Sequence, residues 1–244
     1  QAGQAATGEN NTIVGSAAGD ATLTGNDNTI VGMLAGSALT DGPGNVLIGK
    51  DAGAAMTTGD YNVAIGYQAA DAMTGESNYN IAIGANALGG EASGADSCIA
   101  IGNGALKLQN DASAVNMAIG YTAGDAITSG TQHTLIGYQT GSALGSNDSC
   151  TALGYQELLA TTGSSNTAIG ASAMTGACSG SGNVAVGSSA LGQAANTESH
   201  NVALGNAALY HLAHNDGDKN IAIGSDAGRF YETTATATPG SASP

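Results

Sequence analysis

His211, His214, Asp216 and Asp218 lie close together in one polar stretch, and imidazole beside carboxylate is the ligand chemistry of zinc or nickel. Two histidines three apart on a loop are not preorganised, so the stretch reads as a solvated insertion and no more than a weak metal candidate. Asp20, Asp27, Asp41, Asp60 and Glu76 suggest calcium, but they do not recur at one position of any pattern, and the Gly-Asp nonapeptide of calcium-binding rolls is missing. Tyr121, Tyr138 and Tyr155 share one position on consecutive repeats, as does Tyr67 further down. Such a ladder is a possible glycan contact, or simply a cover for its own scaffold. Cys98, Cys150 and Cys178 fit neither a disulfide framework nor a zinc site and read as small buried fillers. Glu157 has no repeated acidic or histidine partner, and no Ser-His-Asp, Cys-His or phosphate-loop arrangement can be assembled. The expectation is a protein that is not an enzyme and uses no cofactor.

Composition narrows the classes further. Leu, Ile, Val and Phe total only 39 of 244 residues, beside 39 Gly and a formal net charge of -15. These values approach those of disordered chains, yet only 9% of residues are charged. Lys50, Lys107, Lys219 and Arg229 are scattered singly, which argues against nucleic-acid binding. No apolar run approaches the ~20 residues of a bilayer span, so membrane insertion is not expected.

What orders so lean a chain is a repeat. The phrase Asn-x-x-aliphatic-Gly, or a close variant, occurs thirteen times, with successive glycines 16 to 19 residues apart and most often 17 or 18. The residue before the glycine is always a branched aliphatic: Val14, Val31, Ile48, Ile65, Ile83, Ile101, Ile119, Ile136, Leu153, Ile169, Val186, Leu204 and Ile223. Four before it stands Asn11, Asn28, Asn45, Asn62, Asn80, Asn116, Asn166, Asn183, Asn201 or Asn220, with Cys98, His133 and Cys150 as the exceptions. Three after it comes Ala, except at Thr140 and Glu157. Alternation within the phrase marks a short strand that is apolar on both faces.

A unit of this length is too short for a helix pair and suits one coil of a β-solenoid. The expected fold is all-β, a parallel solenoid or β-roll of about 13 coils over residues 11–230, after a lead-in at 1–10 and before a Thr/Ala/Ser/Pro tail at 231–244. Stacking would align the aliphatics into a structural ladder and the asparagines into an amide ladder. A rod this thin leaves an apolar stripe, so lateral association of three chains is expected. Phe230 and Tyr231 are placed to lie across one end as a modest cap.

Asn-Val-Ala-Ile-Gly at 62–66, Asn-Ile-Ala-Ile-Gly at 80–84 and 220–224, and Asn-Val-Ala-Val-Gly at 183–187 resemble the head repeats of trimeric autotransporter adhesins. Ala64-Ile65-Gly66-Tyr67-Gln68-Ala69 is similar to repeats of phage tail-fibre proteins. The resemblance implies a left-handed homotrimeric roll, a structural viral, phage or bacterial attachment protein at the cell surface, virion surface or another extracellular site. Its partners would be copies of itself and a surface glycan or receptor. End-to-end stacking into an extracellular filament is the alternative expectation.

Overall fold

The computed structural model describes residues 2, 3, 5–90, 95–193, 197, 199–212 and 218–229. Thirteen strands form one parallel sheet in chain order: β1 (Thr12–Val14), β2 (Thr29–Val31), β3 (Val46–Ile48), β4 (Val63–Ile65), β5 (Ile81–Ile83), β6 (Ile99–Ile101), β7 (Met117–Ile119), β8 (Thr134–Tyr138), β9 (Thr151–Tyr155), β10 (Thr167–Ile169), β11 (Val184–Val186), β12 (Val202–Leu204) and β13 (Ile221–Ile223). The chain is therefore an all-β solenoid of about twelve complete turns, with no helix among the described residues. The expected tail at 231–244 and the cap at Phe230 and Tyr231 lie outside the described residues.

Register is set by equivalence: Val63 pairs with Ile81, Ala64 with Ala82 and Ile65 with Ile83, and every other junction repeats this match. From β2 onward each strand buries its second residue, Ile13 of β1 being half-buried, and the residues on either side of it are half-buried or exposed on the outer side. The inner column runs Ile13, Ile30, Leu47, Ala64 and onward, mostly Ala, because the coil is too narrow for more. The aliphatic ladder thus forms in register, but on the outside of the coil.

The interior is filled from elsewhere. The Ala column three after the glycine is buried throughout the middle of the rod, and nearly every turn adds a bulky side chain such as Leu39, Met56, Met73, Leu106, Ile127, Leu144 or Leu158.

Corners explain the glycine content. The repeat glycines have φ between +118° and +143°, a region closed to side chains, and at most of them a Cβ would collide with the carbonyl of the next glycine up the stack. Two further corners per turn take left-handed backbone in ordinary residues, such as Tyr61 (φ 53°) and Gln68 (φ 53°). Each such residue costs about 1–2 kcal/mol, which stacking must offset.

Candidate functional site

Two outer columns, one from Thr12 to Ile221 and one from Val14 to Ile223, make a continuous face along the rod that contains no charged residue. It is Thr, Val, Ile, Leu and Met throughout. Exposure is large for such side chains in the end turns, at Val14 56%, Ile221 73% and Ile223 70%, and at Leu153 46% along the way.

Two rims border the face. The leading rim is the residue five before each glycine and carries Tyr61 and Tyr79, stacked at 5.6 Å and 6°. The trailing rim is the residue after the glycine. There Tyr121, Tyr138 and Tyr155 stack at 5.3 and 5.2 Å, with interplanar angles of 11° and 8°. Tyr67 is on the same rim with the Lys50 ammonium 5.3 Å from its ring centre. The three-ring ladder is exposed, yet its inner ring faces are covered by neighbouring rings, so it offers ring edges and hydroxyls rather than open faces. Beside the leading rim, over β6–β8, runs a groove lined by Ile99, Val115, Met117, Gln132 and Thr134.

The asparagines brace this face from within. From Asn11 to Asn201 each Oδ1 accepts the backbone N–H of the equivalent residue one turn up, as in Asn45 to Asn28 at 2.9 Å, Asn62 to Asn45 at 2.8 Å and Asn80 to Asn62 at 2.9 Å. Nδ2 groups of the ladder donate to loop carbonyls, as from Asn62 to Ser77 at 2.7 Å and from Asn116 to Gly130 at 2.8 Å, while the buried Asn28 Nδ2 finds no partner. The exceptions imitate the amide. His133 Nδ1 accepts from the Cys150 N–H at 3.1 Å, which assigns the proton to Nε2, and Nε2–H donates to Asn147 O at 2.7 Å. The thiols of Cys98 and Cys150 donate to Ala114 O and Gly163 O, and all three cysteines are buried thiols. Burial pushes the Cys98 and Cys150 thiols up, so they are poor nucleophiles.

Burial also holds the His133 pKa below its ordinary value near 6.5. Stability should therefore be lost as pH falls through about 6.5, where the unfolded chain takes a proton that folded His133 refuses. His133→Asn restores the repeat's own residue. Thermal unfolding followed by circular dichroism at pH 7.5 and 5.5 should show a smaller acid-induced drop in the variant than in the parent chain.

A second polar ladder escapes the repeat phrase. Two residues before the Asn position, a short polar side chain accepts the N–H of the turn below: Asp96 from Asn78 at 2.6 Å, Asp148 from Thr131 at 2.7 Å, Ser181 from Ser164 at 3.1 Å. Its signal in the sequence is a recurring Asp, Asn or Ser two places before Asn.

Of the metal candidates, His211 and Asp218 are described and each has other partners. Asp218 accepts the Ser199 N–H at 2.6 Å as part of that second ladder, and the His211 ring meets Tyr210 edge-on at 4.6 Å. His214 and Asp216 lie outside the described residues. Asp41, Asp60 and Glu76 do line one groove, and the Asp60 carboxyl is raised by burial and then by its two neighbours. Among the described residues, no group of three or more His, Cys, Asp or Glu is arranged to hold a metal ion. Comparison with family models, curated proteins and solved structures gives no match. The functional reading rests on the face and its rims.

Proposed function

We propose that the chain is a non-enzymatic structural protein: a rigid solenoid, left-handed and wound as a homotrimer, serving as the shaft or head of a viral or phage tail fibre or a bacterial surface adhesin. The observation that carries this reading is the uncharged aliphatic face in a chain of net charge -15. Twelve turns at about 4.8 Å by the ~7 Å between the two columns give roughly 400 Å², the size of the largest apolar patch on a typical monomer and often a functional one, and an interface of ~800 Å² per partner would take in both rims as well. Three copies turning this face to a common axis would cover it, leaving charged loops outside for solubility and display. The repeat phrase and the rod form support extracellular attachment as the setting.

Sedimentation equilibrium should give three times 23.4 kDa. Ile101→Glu together with Ile119→Glu should reduce the assembly to single chains, because two carboxylates per chain would be buried unpaired. A native chain that sediments as a monomer overturns the proposal. End-to-end stacking is the second reading, favoured by β1 and β13 each pairing on one side only among the described residues. Electron microscopy separates the two, since stacking yields fibres of unlimited length and the first reading yields discrete rods.

A further inference from the structure

We infer that the Tyr121–Tyr138–Tyr155 ridge is an interlocking element between copies of this chain, seated in the leading-rim groove of the neighbouring protomer. The inference rests on the assembly proposed above and adds a direction and a register to it. Both features are confined to the same few turns. The ridge occupies the trailing rim at β7–β9, and the groove flanks the leading rim at β6–β8.

Their heights decide the geometry. Val115 and Tyr121, Gln132 and Tyr138, and Ser149 and Tyr155 each belong to one turn and lie on opposite rims of the same face. In a parallel arrangement about an axis along the rod, the trailing rim of each copy meets the leading rim of the next at equal height. Bulky Tyr121 and Tyr138 then stand level with a groove floored by Val115 and Met117, and their hydroxyls come beside the polar Gln132 and Ser149. An antiparallel pairing of two faces sets like rims together, so that the ridge meets a ridge near β7 and the groove stays empty. Neither the ridge nor the groove lining carries a formal charge, so nothing opposes burying them against each other. Tyrosine anchors in a preformed groove are also the usual carriers of binding energy at an interface. Stacking within the ladder prepares it for this use: each ring is already ordered before docking, which lowers the entropy lost on association.

A short bismaleimide applied to the Gln132→Cys/Tyr138→Cys double variant tests the contact, with the unsubstituted chain as control for its buried native thiols. Covalent dimers and trimers on a denaturing gel, absent from both single variants, are expected. A double variant that keeps the trimer mass without linking would overturn the ridge-in-groove contact while leaving the trimer intact. Efficient linking of Tyr121→Cys alone into dimers would overturn it in favour of antiparallel faces. Chains that are monomeric throughout would overturn this contact and the assembly together. As a second readout, replacing all three ladder tyrosines by Ser should raise the concentration at which trimers dissociate at least tenfold. Unchanged dissociation with loss of binding on a glycan array would instead assign the ladder to a sugar ligand.

Discussion

Gly137→Ala is expected to prevent stable folding, with a loss exceeding about 3 kcal/mol in urea unfolding followed by circular dichroism. The backbone there has φ +137°, and a Cβ would stand 1.7 Å from the Gly154 carbonyl oxygen. That oxygen belongs to the backbone of the next turn, so it cannot swing aside as a side chain would. Relief requires the two turns to separate, and separation breaks the parallel pairing of β8 with β9, the longest contact in the sheet. Gly145 is the control. Its φ is +51°, and a Cβ would meet nothing closer than 3.9 Å, in a left-handed well that many non-glycine residues of this chain already occupy. Gly145→Asn should cost about 1 kcal/mol or less. If Gly137→Ala unfolds within about 1 kcal/mol of the parent, the corner stack is not what spaces the turns.

The contrast between these two glycines shows what was legible in the sequence. The repeat phrase marks all thirteen strands, because a strand must reach the same corner once per turn and the corner admits only glycine. The amide ladder was legible for the same reason, and even its exceptions make sense as groups that donate to the same loop carbonyls. The phrase does not say which face of the strand is inside. Ile65 is larger than Ala64, and size alone would put it in the core, yet the narrow coil takes Ala64 and turns Ile65 outward. The bulky core residues were hidden because they do not keep one column. Where the inner corner is glycine, as at Gly124 and Gly141, Ile127 and Leu144 fold back into the vacant space, and a Cβ there would meet them at 2.9 and 2.8 Å. Where the corner is itself Leu106 or Leu158, that residue fills the turn and Gln109 or Thr161 follows. At most turns one of the two positions is bulky and the other small or polar, with Leu209 and Leu212 both bulky as an exception, so the pattern escapes column-by-column reading. The tyrosine ridge was legible, as one position shared by consecutive repeats, but the groove was not, because its lining residues of three successive turns become neighbours only when the turns stack.

Glu157 is the point where the repeat is broken from inside, and its replacement should stabilise the rod. The side chain has 0% exposure, and neither carboxyl oxygen has a hydrogen-bond partner. It enters the corner stack: a Cβ on Gly154 would meet Glu157 Oε1 at 2.3 Å, where other corners meet the next glycine's carbonyl. The turn above is one residue short of the usual 17, Gly170 has the lowest φ of the thirteen corners, and its N–H reaches Leu153 O at 3.0 Å, against 2.7–2.8 Å at nine other corners. Burial raises the carboxyl pKa, the nearby backbone of Glu157 and Tyr155 opposes that shift without closing a hydrogen bond, and no charged side chain contributes. The sign follows. Below the ordinary value near 4.5 both folded and unfolded chains hold the proton, so nothing is lost. Above it the unfolded chain ionises first, and stability falls with rising pH until the folded carboxyl ionises too. Glu157→Gln keeps the shape and cannot ionise, while Glu157→Ala restores the small residue that eleven other turns carry. At pH 8 the alanine variant should gain about 1–3 kcal/mol, the cost of a buried unpaired polar group. Urea midpoints at pH 4.5 and pH 8 for all three chains separate this effect from the general self-repulsion of an acidic protein, which the variants share. A decline with pH that is as steep in Glu157→Gln as in the parent would show that Glu157 is not its source.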